Sequence, residues 1–437
     1  MKVGILGFGN VAGATVDSFL TNQKLINAKT RSQIEIVRVA TRTPARAIGH
    51  VPSGCEVSSD CWSLVNDPHV DVVVELLGDV KLGRELVLRA LHNRKHIVTA
   101  NKALMALHGE EIMTKAEENQ CSVLFEGAIA VSIPIVKFLR ESAAANQISS
   151  ISGILNGTSN YVLSQMGEHS VDLDNAIKAA QKMGYAEADP TLDLNGEDAA
   201  HKLALLASLG FGIPINFTAV EYKGIQEVAL LDINHSKYLG FKIKLLAQAQ
   251  KNSRGIALSV HPTLVPDHSL IAKIGGAMNG IYLQGDLMGS AFLYGSGAGG
   301  RQTSSAILAD LIDLANGRAS DPQNGSFNMG FSTSHYNAIE TTYVKQQFGS
   351  HYVRLTVPND SELIKNFKKA LAEARITAEV QKMDGIIGDN LVNLIIITRG
   401  TTTSHLENII PKLPYSKKVK RPAVIYPIYE DREFTSP

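Results

Sequence analysis

Short apolar runs alternate with amphipathic stretches through the first third of the chain, and this alternation predicts strand, helix, strand, helix in turn. Lys2 to Leu6 is apolar and short enough for a strand, and Val11 to Leu20 carries a helical stripe. Ile34 to Ala40, Asp71 to Leu77, His96 to Thr99 and Ser122 to Phe125 read as further strands, with helices at Arg84 to His92 and Gly109 to Asn119. The run DVVVELL is apolar straight through, as a strand covered on both faces of a parallel sheet requires. This order predicts an α/β dinucleotide-binding (Rossmann) domain over residues 1–130.

From residue 131 the pattern changes to a mixed α+β one. Ile133 to Ser142 and Asn175 to Met183 predict helices, and Ile148 to Ile154 a period-2 strand ending in the polar turn Leu155 to Asn160. A helix follows from about Asp198 through Ser208. Ile256 to Pro262, Gly280 to Gly285 and Phe292 to Tyr294 predict strands, and Gln302 to Ala315 a helix. This second unit spans 131–318, with its last helix, about 302–315, placed to pack back on the first. Residues 319–347 are turn-rich and polar, as in a linker. Residues 348–430 then read strand, helix, strand, strand, helix, strand, with apolar stripes such as Phe367, Ala370 and Leu371. That order predicts a ferredoxin-like βαββαβ unit.

Composition narrows the function class. The 437 residues carry 42 basic and 42 acidic side chains, so there is no bulk charge to attract nucleic acid or a membrane surface. No run approaches the length of a membrane span. Cys55, Cys61 and Cys121 form neither a disulfide framework nor a metal-ligand spacing, which suits a reducing, cytoplasmic setting.

Two stretches carry chemistry. In GFGNVAG, immediately after the first strand, Gly7, Gly9 and Ala12 fit the dinucleotide fingerprint: a tight turn, a close approach for the pyrophosphate, and a small residue for helix packing. The second strand ends in Thr41-Arg42-Thr43 rather than an acid, so Arg42 suits a 2′-phosphate and favours NADP(H) over NAD(H). Lys102 follows a strand's carboxyl end, where such sheets place ligands; it reads as a cofactor or substrate contact against the alternative of a surface lysine. The glycines of GSGAGG before a strong helix read as a second ligand-facing loop. The other stretch, GYAEADPTLDLNGEDAAHK (Gly184 to Lys202), gathers five carboxylates before a helix on which Asp198 and Lys202, four apart, share a face. His201 lies about 100° around that helix from Lys202 and reads as structural.

With these residues placed, the chain resembles homoserine dehydrogenase along nearly its whole length, on GFGNVAG, VVVELLG, HIVTANKALMALHG, SISGILNGTSNYVLSQM, GYAEADPTLDLNGEDAAHKLALLASLGFG and GSGAGG. The last hundred residues resemble the small ACT regulatory domain. The resemblance implies reversible conversion of L-aspartate 4-semialdehyde to L-homoserine, on the way to threonine, isoleucine and methionine. It implies Lys202 as proton donor and acceptor, with Lys102 in the same chemistry, and Glu187 and Asp198 as homoserine ligands. It places Phe8, Asn10, Val11, Arg42, Lys102 and Gly299 at the cofactor, with Gly184 ending a helix nearby. It implies a sodium-type cation on the backbone of Glu126, Ile129, Val131 and Ile133, and a dimer or tetramer. Asp189, Asp193 and Glu197 are left as turn and cap residues. Two departures stand out: Val131 and Ser132 replace frequent glycines at the cation loop, and Pro358 to Leu363 lacks the Pro-Gly pair of the usual ACT turn. The latter leaves effector binding and a purely structural or oligomerising role both open.

Overall fold

The computed structural model describes residues 1–317, 329–331, 341–342, 347–383, 391–412 and 423–430. Most of the predicted 319–347 linker, and residues 384–390 and 413–422 of the predicted 348–430 unit, lie outside them.

Six parallel strands form the first sheet: β1 (Lys2–Leu6), β2 (Glu35–Ala40), β3 (Glu56–Ser58), β4 (Val72–Glu75), β5 (His96–Thr99) and β6 (Val123–Leu124). Their order is β3-β2-β1-β4-β5-β6, so the chain winds outward in both directions from β1. A crevice therefore opens at the carboxyl ends of β1 and β4, the switch point where this class of sheet holds ligands. β4 is buried along its whole length, because helices cover both faces. The helix Gly300–Ala315 packs on the first helix, Asn10–Thr21, and its Ile307 and Leu311 join Val3, Ile5 and Val16 in one core cluster.

The helix after β5 begins at Lys102, seven residues before the expected Gly109, and runs to Glu118. Asn101 caps it, its side chain accepting from the Leu104 N–H at 3.1 Å, which satisfies one of the unpaired donors of the first turn. Gly109 is no helix start. A Cβ there would come 2.6 Å from the tip of Ile215, so it is a close-packing position in mid-helix.

The second sheet has eleven strands. Its path is β12 (Gly289–Ser296), β11 (Met278–Gly285), β7 (Ile148–Ile154), β9 (Phe241–Asn252), β10 (Gly255–Pro266), β17 (Val424–Ile428), β14 (Gly349–Pro358), β16 (Leu391–Thr401) and β15 (Thr377–Met383), while β8 (Glu221–Tyr222) and β13 (Thr341–Thr342) pair with β10. The β9–β10 hairpin is antiparallel over twelve residue pairs. Sequence periodicity missed β9 because Ile243, Lys244, Leu245, Leu246 and Ala247 are all buried. The helix Glu197–Phe211 is buried along nearly its whole length and packs against β7, β9 and β10.

Two other segments differ from expectation. The polar stretch Leu155 to Asn160 is not a turn throughout; Asn156 caps a helix that runs from Gly157 to His169. Ile133 to Ser142 is not one helix. A short α-turn, Ile135–Lys137, passes into a wider π-turn over Phe138–Ser142.

The carboxyl-terminal strands run β17-β14-β16-β15, fourth, first, third and second of their unit, which is the ferredoxin-like arrangement. Among the described residues this unit joins the rest through a parallel pairing, Leu264 with Ile428, through Tyr352, Ile395 and Tyr426 in the main core cluster, and through a buried ion pair. Asp232, on the helix Leu230–Tyr238, receives Arg354 Nε at 2.6 Å, Arg354 Nη2 at 3.1 Å and the Tyr352 hydroxyl at 3.0 Å. Asp232 is fully buried and Arg354 nearly so. Removing one partner of such a pair strands the other charge out of water. Arg354→Ala is expected to destabilise the protein by about 3–5 kcal/mol, seen as a lower urea midpoint. An unchanged midpoint would mean the pair holds nothing together.

Among the described residues no helix is long and apolar enough to cross a membrane.

Candidate active site

The turn after β1 is built for close approach. Gly7 has φ +89°, and a Cβ there would come 2.6 Å from the Leu76 carbonyl oxygen, so only glycine fits both the backbone angle and the space. Gly9 precedes the first helix without any side-chain cap. Gly299, with φ +124°, likewise precedes Gly300–Ala315 without one. These helix starts are adjacent, since a Cβ on Gly300 would lie 3.3 Å from Ala14 Cβ and 3.4 Å from the Asn10 carbonyl oxygen. Two uncapped helix N-termini, each with unpaired N–H groups and the positive end of a dipole, thus stand side by side at the switch point. That arrangement fits the pyrophosphate of a dinucleotide.

The other predicted cofactor residues fall into two groups. Val11 and Lys102 line the crevice. Gly9 and Asn10 are exposed and Phe8 is half-buried. Arg42 is exposed just beyond β2, whose Ala40 carbonyl accepts the Gly7 N–H at 2.8 Å. Its guanidinium has no ion pair among the described residues. Gly184, with φ +75° and open space around it, follows the helix Leu173–Lys182 but is not part of the crevice wall.

The acidic stretch supplies the opposite wall. The crevice, about 390 Å³, is lined by Lys102, Glu187, Asp193, Asp198 and His201 together with Leu76, Gly78 and Asn101. A larger hollow of about 750 Å³ on the outer face of Lys102–Glu118 contains none of these groups. At the centre is Asp198, which is 5% exposed. Its Oδ2 accepts from Lys202 Nζ at 2.8 Å and from Asn156 Nδ2 at 2.8 Å, and its Oδ1 faces Lys102 Nζ at 3.2 Å. Lys202 is buried and also donates to the Leu155 carbonyl at 2.8 Å. The Lys102 side chain is 41% exposed, which leaves its ammonium open to the crevice. One carboxylate therefore bridges two lysines contributed by different parts of the fold.

Electrostatics follow from this packing. Burial pushes the Asp198 carboxyl up, but Lys202, Lys102 and the Asn156 hydrogen bond overcome it and hold the group well below the usual carboxylate range. Asp198 in turn raises Lys102 against the opposing effect of burial.

Several residues contribute more here than their types suggested. Asn156 has a bridging role: Nδ2 also reaches Asp193 Oδ1 at 2.7 Å while its Oδ1 caps the following helix through the Ser159 N–H. The only sequence signal for this was a strand ending in a polar run. Asp193, expected to be a turn residue, places its carboxylate in this network. His201, expected to be structural, forms part of the crevice wall; its ring packs on Phe217 with centroids 4.4 Å apart, and Nε2 is buried without a hydrogen-bond partner among the described residues. Burial lowers its basicity. Glu187 is exposed at the crevice with no ion pair among the described residues, whereas Asp189 bonds Thr191 and Glu197 bonds Asn195.

The implied cation loop lies at the junction of the two sheets. The Glu126 carboxylate accepts the N–H groups of Val136 and Lys137 at 3.0 and 2.9 Å, so its side chain is committed to capping. Val131 has φ +53°, a left-handed conformation that is costly for a β-branched residue. The Ile133 carbonyl accepts from Ile135 N–H at 2.7 Å. Those of Ile129 and Val131 accept no hydrogen bond among the described residues. Two carbonyls without a partner among the described residues, one on buried Ile129 and one on the partly exposed Val131, are compatible with a cation bound by backbone oxygens.

A two-sheet α/β architecture with paired helix N-termini at a switch point, facing two lysines on one carboxylate, defines a dinucleotide-binding oxidoreductase with an acid–base crevice. Comparison with known proteins makes this specific. Residues 7–126 match the family model described as homoserine dehydrogenase, NAD binding domain, and residues 134–312 match that of homoserine dehydrogenase. Homoserine dehydrogenase of Pseudomonas aeruginosa is 38% identical over 427 residues, covering 97% of this chain and 98% of that one. The Neisseria gonorrhoeae enzyme is 37% identical, covering 97% of each. The crystal structure of a homoserine dehydrogenase from Thiobacillus denitrificans superposes with a TM-score of 0.92 at 36% identity and 98% coverage of both chains. A hyperthermophilic archaeal homoserine dehydrogenase in complex with NADPH gives 0.60 at 25% identity over 71% of this chain and 96% of that one. The chain belongs to the homoserine dehydrogenase family, and its function is that of an oxidoreductase of amino-acid biosynthesis.

The depressed Asp198 carboxyl links the site to stability. A carboxyl whose folded pKa lies below its unfolded value near ~3.9 stabilises the fold above that pH and loses the contribution as pH falls through the folded value. Asp198→Asn is expected to be less stable than wild type at neutral pH, with the difference in unfolding midpoint shrinking as pH drops below about 4. A difference independent of pH between about 7 and about 2 would contradict the ion-pair account.

Proposed function

We propose that this chain interconverts L-homoserine and L-aspartate 4-semialdehyde in the route to threonine, isoleucine and methionine, with NADP(H) preferred and NAD(H) the alternative. The observation that supports the reading is the Lys102–Asp198–Lys202 bridge, of which Lys102 and Asp198 line the crevice.

When bound, the nicotinamide cofactor supplies or accepts the hydride. The chain's own residues handle the charge that this leaves on oxygen. An aldehyde oxygen becoming an alcohol oxygen needs a proton and a cation nearby, and Lys202 Nζ, hydrogen-bonded to Asp198, would donate or recover the proton. Lys102, exposed toward the crevice, stabilises the developing oxyanion by charge. Asp198 keeps both ammonium groups in place, and with Glu187 it meets the substrate's own ammonium. Arg42, without an ion pair among the described residues, would hold a 2′-phosphate, and Phe8, Asn10, Val11, Gly184 and Gly299 would border the rest of the dinucleotide. A monovalent cation such as sodium, held by the carbonyls of Glu126, Ile129, Val131 and Ile133, would offset the Val131 strain by giving its loop a ligand to enclose.

The ferredoxin-like unit takes the ACT role by resemblance, as a regulatory or an oligomerising module, and self-association as a dimer or tetramer is part of the same reading. Its first turn is closed by Asp360, which accepts the Glu362 N–H at 2.9 Å, in place of a Pro-Gly pair.

Two measurements test these assignments. Lys202→Ala and Lys102→Ala are each expected to lower kcat by about 10²–10⁴-fold, followed at the nicotinamide absorbance with homoserine and either cofactor. Turnover unaffected by Lys202→Ala would reject the proton assignment. Arg42→Ala is expected to raise KM for NADP⁺ while leaving KM for NAD⁺ unchanged, and equal effects on both would remove Arg42 as a phosphate reader.

A further inference from the structure

Glu75 is the last residue of β4 and is completely buried. The three residues before it are valines, so the strand's pattern calls for an apolar side chain there. An ionised carboxylate out of water is expensive unless donors meet it. No lysine or arginine pairs with it among the described residues. Three neutral donors meet it instead. Oε1 accepts the Leu77 N–H at 2.9 Å and Asn101 Nδ2 at 3.4 Å, and Oε2 accepts the Thr99 hydroxyl at 2.7 Å.

These donors belong to segments that border the crevice. Leu77 lies in the loop whose Leu76 and Gly78 form part of its wall. Thr99 ends β5, and its hydroxyl, while donating to Glu75, accepts the Asn101 N–H at 3.0 Å. Asn101, held through both its backbone and its amide, turns its Oδ1 to the Leu104 N–H at 3.1 Å and so starts the helix at Lys102. The first residue of that helix is the one whose ammonium lies 3.2 Å from Asp198. A continuous chain of hydrogen bonds therefore leads from Glu75 to the place where Lys102 leaves the sheet.

We propose that Glu75 is a positioning residue for the reaction: through Thr99 and Asn101 it fixes the start of the Lys102 helix, and hence the approach of the Lys102 ammonium to Asp198 and the substrate oxygen. This rests on the assignment of Lys102 to the reaction. Glu75 touches no substrate. Glutamine at this position keeps the volume but sets an amide donor against one of the three donors, which releases part of the clamp without opening a cavity. A displacement of the order of 1 Å at the reacting groups costs about 10²-fold.

The test is a double-mutant cycle on the intact enzyme, with Glu75→Gln, Lys102→Ala and the pair, each checked for native circular dichroism and assayed with homoserine and NADP⁺. Glu75→Gln alone is expected to lower kcat by about 10–100-fold. In the Lys102→Ala background it is expected to cost less than about threefold more, because the group it positions is already gone. Penalties that multiply would overturn the proposal, as would a folded Glu75→Gln with wild-type kcat. A Lys102→Ala enzyme with wild-type kcat would overturn the Lys102 assignment and this route with it, a pattern distinct from multiplying penalties. If Glu75→Gln does not fold, Thr99→Val breaks the same link with almost no change of shape. The cycle of Thr99→Val with Lys102→Ala then supports the proposal if the penalties fail to multiply and overturns it if they do.

Discussion

The crevice depends on one carboxylate. Asp198 is almost without solvent, and a buried charge persists only where opposite charge and hydrogen bonds replace water. Lys202 and Asn156 on one oxygen and Lys102 near the other do this. Each lysine comes from a different part of the chain. Lys202 is one turn along the same helix, while Lys102 opens a helix of the parallel sheet. The ion bridge is therefore also a contact between the two halves of the fold across the crevice.

Around that bridge the structure commits polar side chains to backbone. Asn156 and Asn101 both cap helices and both reach a buried carboxylate with the other end of the amide, Asp198 in one case and Glu75 in the other. Asn101 thus makes a helix start a fixed point of the crevice wall, and Asn156 ties another helix start to Asp198. The cofactor side has the opposite character. Its two helix N-termini lack side-chain caps, and their unpaired N–H groups are free for an anionic ligand. Lys102 opens a helix capped by Asn101, whereas Asp198 and Lys202 lie on one that follows Gly196 without a side-chain cap.

Much of this is legible in the residues, for identifiable reasons. The parallel sheet is readable because β1, β4 and β5 are short apolar runs and because the glycines after β1 sit at the spacing a nucleotide-binding turn needs. Asp198 and Lys202 are readable because four-residue spacing on a helix has one geometric meaning. The features that escape the sequence come from tertiary context. Lys244, buried in mid-strand, hides β9 within a run that is buried on both faces. The helix after Asn156 has the look of a turn because Thr158, Ser159 and Asn160 are polar, and their burial is compensated by partners distant in sequence, such as Tyr185 and Ile274. Gly109 resembles a helix boundary, whereas its missing side chain makes room for Ile215. His201 points away from Lys202 by its helical angle, but its spacing of three from Asp198 brings it to the crevice wall with the carboxylate. Glu75 carries no signal, since a single acid at the end of an apolar strand has many uses.

The proposed reaction turns on a substrate oxygen lying against the lysines that Asp198 holds. A crystal structure of the protein with L-homoserine and a non-reacting dinucleotide measures this without intermediary. The homoserine hydroxyl is expected within hydrogen-bonding reach of Lys202 Nζ, roughly 2.6–3.2 Å, with Lys102 on the same oxygen and the Asp198 bridge intact. A homoserine seated with its hydroxyl away from both lysines, or a complex in which Asp198 has released them, would refute the ion-bridge mechanism.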